Sequence, residues 1–427
     1  MSDFTVGAGG AVFLDADAVR GYGRTAEAQA EFEQAARSLL AADGWTDGGA
    51  KTPKLVADLA LEGGGVKGIA LAGAVLVLDE AGYGFRGVAG TSAGAIAASL
   101  IASITAAGHE MTALKGFMDE LQFTKFMPEG KVHHFLDRHG GHIGEEAADA
   151  AILADRPGIY DGGYLEEWLR PILEDSLGIR SFADLKLPDD PKASLPPGQD
   201  YRLVVHTSDI TRGELVRLPW DYPFYGQNPD EQDVVGAVRA SMSIPFFFEP
   251  VSFQAQPATV SVPAPDGGTV QLEYAGGTVS WVDGGLLRNF PITAFDRIDG
   301  NPPRWPTIGI KLSSMTRRFG PTEAVEHSWD EAKHCLRTMM NEWDTYAVEL
   351  ATAGRTIFVD SAGLTATDFD LTDDQKSQLF LNGVVAANTF VLEMAQAGGV
   401  PRTAEAARRY AISQSRVASV QPAEAGD

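Results

Sequence analysis

Three short stretches carry residues able to do chemistry together. Gly90-Thr91-Ser92-Ala93-Gly94 sets a serine between two glycines. Where a strand ends and a helix begins at such a spot, the serine sits on a sharp turn with its hydroxyl standing out at the helix N-terminus, the position of an attacking oxygen. Gly63-Gly64-Gly65-Val66-Lys67-Gly68 lies one strand-helix unit earlier. Three consecutive glycines leave main-chain N–H groups unobstructed, which suits the negative charge that develops when a carbonyl carbon becomes tetrahedral. A serine hydroxyl also needs a base. Asp283 closes the run Val279-Ser280-Trp281-Val282 and precedes two glycines, a place from which a side chain can project off a sheet edge into a site.

These residues need a scaffold, and the chain supplies the pattern of one. Residues 55–61 are a short apolar run expected to form a buried strand, followed by a helix from about Val66 to Ala81, a strand over 85–89 and a helix from Ala93 to Ala107. Strand-helix-strand-helix with short connections is the pattern of a parallel sheet with right-handed crossovers. Residues 201–206 and 307–312 read as further strands. Residues 1–53 form an N-terminal extension with one helix near 25–41. Residues 188–200 read as a proline-rich surface loop. Residues 254–280 are expected to be a hairpin excursion, broken by Pro-Asp-Gly-Gly and Ala-Gly-Gly turns. Thr372-Asp373-Asp374-Gln375 has capping-box spacing and opens a helix expected to end near Gly398, and 396–427 is a polar, Ala-rich tail. The main block is therefore 54–395.

Composition narrows the function. With 427 residues the chain can bury a sizeable core. It has 34 Lys plus Arg against 58 Asp plus Glu, a formal charge of −24, which disfavours nucleic acid and strongly anionic membranes. Its single cysteine, Cys335, excludes an internal disulfide framework and a cysteine-rich zinc site. The first residues show no basic and then apolar leader pattern, so the expectation is a cytoplasmic protein, with signal-free export left open. The uncharged stretch from Gly87 to Gly108 is long enough to span a bilayer. It is mostly Ala, Gly, Ser and Thr, and it reads instead as strand, turn and buried helix.

Competing readings exist for each motif. Gly63, Gly65 and Gly68 also satisfy a dinucleotide-binding glycine pattern, but no acidic residue stands at the end of the next strand to hold a ribose. Asp161-Gly162-Gly163 repeats the aspartate motif before a helix pattern and reads as helix capping. His133, His134, His139 and His142 lie in a Gly-containing loop without convincing metal-ligand spacing. Phe246-Phe247-Phe248 and the Trp329, Met339, Met340, Trp343 and Tyr346 segment read as core. Lys67 lacks the order of a phosphate-loop lysine.

With glycine loop, serine turn and Asp283-Gly284-Gly285 in this order, the chain resembles the patatin-like phospholipase family over roughly residues 54–395. Thr207–Val216, Ala237–Pro245, Asn289–Ile292 and the stretch from Phe369 to Gly383 are also similar to that family. The resemblance implies a three-layer α/β/α fold with a mostly parallel central sheet and the serine at a strand-to-helix elbow. It implies a lipid acyl hydrolase of phospholipase A type that uses a Ser-Asp dyad and an acyl-enzyme, with no metal and no cofactor. Carried over, Ser92 is the nucleophile, Asp283 the base, and Gly63, Gly64 and Gly65 supply the oxyanion hole. The substrate is then a phospholipid or other glycerolipid at a membrane surface, touched peripherally; an activator or a homo-oligomer is compatible with the sequence. Two other readings stand beside it: an α/β-hydrolase-type esterase with a Ser-His-Asp triad drawing on His327 or His334, and a non-catalytic lipid-binding relative.

Overall fold

Strand β1, Leu55–Leu61, is buried along its whole length because both of its faces meet a core. Leu55, Ala57, Leu59 and Leu61 point into the main hydrophobic cluster, while Ala60 packs with Phe290 and Ile292 and Val56 with Trp305 on the other face. A strand sandwiched in this way reads as an unbroken apolar run, since alternation survives only where one face meets water. The computed structural model describes residues 5–6, 12–13, 24–43, 55–126, 158–160, 162–188, 195–263, 268–297, 303, 305–312, 325, 331, 334–336, 338–339, 352–361, 363–364, 366 and 368–401.

The helices, in chain order, are α1 (Ala26–Asp43), α2 (Ile69–Glu80), α3 (Ala93–Ala107), α4 (Ala113–Glu120), α5 (Gly163–Arg170), α6 (Val234–Ser241) and α7 (Asp373–Ala397). After β1 come strands β2 (Tyr83–Thr91), β3 (Leu203–Asp209), β4 (Glu214–Leu218), β5 (Val251–Ala255), β6 (Ala258–Pro263), β7 (Thr269–Tyr274), β8 (Gly277–Asp283), β9 (Thr307–Lys311) and β10 (Thr356–Phe358). The main sheet runs β10-β9-β1-β2-β3-β8-β5, with β4 also paired to β3. The β10-β9-β1-β2-β3 portion is parallel, and β4, β8 and β5 join antiparallel. This mostly parallel sheet flanked by helices is a three-layer α/β/α fold.

The expected β-α-β-α block is present, with a 3₁₀ turn at Gly65–Gly68 leading into α2. The segment at 254–280 is only partly an excursion. β6 and β7 form their own two-stranded hairpin, whereas β5 and β8 belong to the main sheet. The Ala-Gly-Gly turn at 275–277 thus returns the chain to the sheet, and β8 delivers Asp283.

Helix α7 begins as its sequence signals. The Thr372 hydroxyl accepts from the Gln375 N–H while the Gln375 side chain accepts from the Thr372 N–H, and Gly398 closes the other end in the left-handed region. By length and composition α7 could cross a membrane. Here Leu379, Phe380, Val384, Ala387, Phe390, Val391 and Met394 are buried in the main core, where α7 lies along α2. Contact is close because Gly73 and Gly383 let the two backbones meet; a Cβ on Gly383 would come within 2.0 Å of the Ala70 oxygen. Helix α1 joins the same core through Phe32, Ala35 and Leu39, and Arg24 bridges Glu80 at 2.9 Å.

Candidate active site

Strand β2 ends at Thr91 and α3 starts at Ala93, so Ser92 is the whole turn between them. Its φ of 54° and ψ of −125° lie where a side chain rarely goes. Such a residue costs about 1–3 kcal/mol and persists only when its surroundings over-determine it. They do so here. A Cβ on Gly90 would fall 2.1 Å from the Gly94 oxygen, and one on Gly94 would fall 2.3 Å from the Leu61 oxygen, so only glycines fit on both sides. The Ser92 carbonyl accepts from Ala95 and Ile96, and its N–H donates to the Oγ of Ser241 at 2.9 Å. The Ser241 hydroxyl in turn donates to the His206 carbonyl at 2.6 Å.

Asp283 stands at the end of β8, opposite Thr207 of β3, and is completely buried. Its main-chain N–H donates to the Ser243 carbonyl at 2.8 Å, and its Oδ1 accepts from the Gly285 N–H at 2.7 Å. Burial pushes its carboxyl pKa from 3.8 up to about 7, against the opposing pull of the Ser92 hydroxyl and the Gly285 N–H. The serine is thus near enough to steady the carboxylate, yet Oδ2 closes no hydrogen bond of ordinary geometry among the described residues.

The three glycines do not play one part. The Gly63 N–H donates to the Asn289 carbonyl at 3.0 Å, and the Asn289 side-chain amide donates back to the Gly63 carbonyl at 3.0 Å. Gly63 is therefore clamped, and its N–H is already used, which corrects the expectation that it is an oxyanion donor. The amides of Gly64 and Gly65 donate to nothing among the described residues. Gly65 has a φ of 55°, and a Cβ there would meet the Ala366 oxygen at 1.8 Å. The loop reaches the serine directly, since a Cβ on Gly63 would lie 3.0 Å from that of Ser92.

The structure therefore brings Ser92, Asp283 and the glycine loop together. Of the histidines, His206 is fully buried and its pKa is lowered to about 3, first by burial and then by Arg288 and Arg217, so it is neutral and a poor base. His327, His133, His134, His139 and His142 lie outside the described residues. Asp161 also lies outside them; Gly162 starts α5 at a φ of 71° with no side-chain cap. Phe247 and Phe248 are buried core residues as expected, whereas Phe246 is half-buried with a φ of 68°. No group of metal-ligating side chains occurs among the described residues.

Two supporting residues escaped the sequence reading. Ser241 and Asn289 sit in Ala237–Pro245 and Asn289–Ile292, stretches recognisable in sequence but with no pattern that assigns either residue a partner.

A mostly parallel sheet with a strand-to-helix serine, a buried aspartate and a glycine loop at one end places the chain among α/β folds built for a site at the strand ends. Comparison with known proteins narrows this. The family model for patatin-like phospholipases matches residues 59–296. An uncharacterized protein of Bacillus subtilis (strain 168), YqhO, is 34% identical over 322 residues, covering 75% of this chain and 93% of its own. Among solved structures, VipD from Legionella pneumophila aligns over 80% of this chain and 67% of its own, with 17% identity and a TM-score of 0.38. The type III effector protein ExoU aligns over 80% of this chain and 53% of its own, with 16% identity and a TM-score of 0.35, so the chain spans about half the length of ExoU. The chain belongs to the patatin-like phospholipase family, and by that membership it is a lipid hydrolase.

Proposed function

We propose that the protein is a phospholipase A type acyl hydrolase that works through a Ser92–Asp283 dyad. The observation that carries this reading is the buried Asp283 carboxylate, with an open Oδ2 and a pKa of about 7, facing a serine held at a strained turn. A base whose pKa lies near the working pH combines the right protonation state with useful proton affinity.

In this reading the Ser92 Oγ attacks the ester carbonyl carbon and its proton passes to Asp283 Oδ2. The carbonyl electron pair moves onto oxygen, where the Gly64 and Gly65 amides, and that of Ala93 at the start of α3, meet the charge. Collapse expels the lysolipid oxygen, which takes the proton from Asp283. Water then attacks the acyl-enzyme with Asp283 as base, releasing fatty acid and free serine. The neutral His206 is no base for a triad, a triad through His327 or His334 is separated from the dyad by their alanine variants, and the presence of both Ser92 and Asp283 argues against a non-catalytic relative. The substrate is a glycerolipid met peripherally at a membrane surface. No Lys or Arg occurs between Ala240 and Leu287, the stretch that includes β8 and the β6–β7 hairpin. This supports adsorption by apolar contact with zwitterionic lipid over attraction to anionic lipid.

The test is lipid mass spectrometry of phosphatidylcholine vesicles exposed to the pure protein, alongside labelling with a long-chain phosphonate. Fatty acid and lysophosphatidylcholine should appear, and the phosphonate should label wild type but not Ser92→Ala. Release of the head group instead, or equal labelling of the alanine variant, overturns the reading.

A further inference from the structure

The residue that follows β9, Leu312, is gripped from both ends of the glycine loop. Glu62, immediately before Gly63, is buried; its Oε2 accepts from the Leu312 N–H, and its Oε1 accepts from the buried Lys311 ammonium. The Glu62 N–H meanwhile donates to the Ile310 carbonyl at 3.1 Å. From the far side of the loop, the Lys67 ammonium donates to the Leu312 carbonyl at 3.5 Å. Between these two grips the Leu312 side chain lies against Gly64, where an added Cβ would meet its Cδ1 at 2.5 Å. The neighbouring Lys311 carbonyl is held in the sheet by the Val359 N–H at 2.8 Å.

The cluster joins two lysines and two carboxylates, Glu62 and Asp368. Lys311 pairs directly with the Glu62 carboxylate, and a buried pair repays its desolvation only with good geometry and further hydrogen bonds, which the Leu312 N–H supplies here. Burial and Lys311 lower the Lys67 pKa, and Glu62 holds it up. Asp368 lies near Lys67 as well and steadies the ammonium in the same way. The two grips flank the Gly64 and Gly65 amides, which donate to nothing among the described residues.

We propose that Glu62 and Lys311, buckled through Leu312, are positioning residues that hold the Gly64 and Gly65 amides toward the developing oxyanion. They touch neither substrate nor reacting atoms; they act through the loop. The proposal rests on the Ser92 reading above. Ketone inhibitors separate the two. A long-chain trifluoromethyl ketone adds to Ser92: the Oγ–carbon bond forms, the serine proton passes to Asp283, and the carbonyl electrons move to oxygen as the oxyanion. The matching methyl ketone binds largely unadded and makes no such charge.

The experiment measures kcat, KM and both ketones' inhibition constants for Glu62→Gln, Lys311→Met and Lys311→Arg, each checked for folding by its Tm. A misplaced oxyanion hole should lower kcat and trifluoromethyl ketone affinity by about the same factor, 10- to 100-fold, in Glu62→Gln and Lys311→Met. KM and methyl ketone inhibition should stay within about threefold, because uniform binding is not touched. Lys311→Arg keeps the charge and should recover most of the loss; it also keeps the test decisive should the methionine variant not fold. The proposal is overturned if kcat is unchanged in folded Glu62→Gln, if both ketones weaken equally, or if Lys311→Arg is as damaged as Lys311→Met. Ser92→Ala is the control for the underlying reading. Undiminished trifluoromethyl ketone affinity in that variant would remove Ser92 as nucleophile and leaves a distinct signature from failure of the buckle.

Discussion

The main-chain N–H of Ser92 is held by the hydroxyl of Ser241, the last residue of α6, at 2.9 Å. Because the same hydroxyl donates to His206, one serine ties the elbow to β3. Replacing it leaves a buried donor and a buried acceptor unpaired, at about 1–3 kcal/mol for each group. Ser241→Ala should therefore lower the Tm and reduce kcat more than it raises KM, with Ser241→Thr restoring part of both. Thermal melts and steady-state kinetics on the two variants check this, and unchanged kcat in the alanine variant removes the tie from the catalytic argument.

Ser92→Ala and Asp283→Asn should each abolish turnover while leaving the far-ultraviolet circular dichroism unchanged. Their double variant should be little slower than either single one, since two groups acting as a unit are lost together. His334→Ala should retain activity. Additive losses in the double variant would mean that the two residues do separate jobs, and full activity in a folded Asp283→Asn protein would falsify its assignment as base.

The proposed dyad also sets a pH profile. Asp283 must be ionised to accept the serine proton, and burial places its pKa at about 7. The log of kcat/KM should rise with pH at unit slope and level off near pH 7, about three units above an exposed aspartate. A profile flat from pH 5 to 8 would show that another group accepts the proton.

The glycine loop should respond residue by residue. Gly65→Ala meets main chain at 1.8 Å in a left-handed backbone and should cost both stability and turnover. Gly64→Ala meets the movable end of Leu312 and should lose turnover with a smaller fall in Tm. Gly63→Ala should displace Asn289, whose side-chain oxygen the new Cβ would meet at 2.3 Å. Equal Tm losses in all three would contradict this ranking.

Asp58 offers a prediction about stability away from the site. Its carboxyl is buried in β1 and its pKa is raised to about 7, chiefly by burial, although Trp305, the Gly87 N–H and Arg86 pull the other way. The unfolded chain releases this proton near pH 4, the folded chain only near pH 7, so the folded state binds more protons between the two. Stability must fall as pH rises across that window. Asp58→Asn, which can still accept from the Gly87 N–H, should raise the Tm by a few degrees at pH 8 and flatten its fall above pH 4. Lower stability of this variant at pH 8 would mean that the ionised form is the better fit.

Much of this was legible in the sequence for local reasons. Glycines at 90 and 94 announce a close approach that the Gly94 and Leu61 carbonyls then make, and Thr372 with Gln375 announces a helix start without outside help. The 1–53 segment was legible as a helix near 25–41 but not as a contributor to the core, because Phe32 and Leu39 find their partners on α7, far along the chain. The Gly63 clamp was invisible for the same reason: the amide is taken by Asn289, and nothing in a triple glycine says which of its N–H groups another residue will claim. Hairpin spacing at 254–280 did not show that β5 and β8 belong to the main sheet, since the choice between a free hairpin and a sheet strand belongs to the neighbour, here β3; the Pro-Asp-Gly-Gly stretch lies largely outside the described residues.

That antiparallel insertion of β8 beside β3 has a consequence for how the protein is made. Ser92 and its elbow leave the ribosome early, flanked by a strand and helix able to form from local contacts. Asp283 comes much later, and Asn289 and Leu312 later still. Because loop closure over such separations is slow and entropically costly, the nascent chain carries a finished serine turn with neither Asp283 nor the Asn289 and Leu312 contacts of the glycine loop in place. On the proposed mechanism, a chain synthesised in this order stays chemically silent until its last sheet strands dock, and prematurely terminated chains are silent for good.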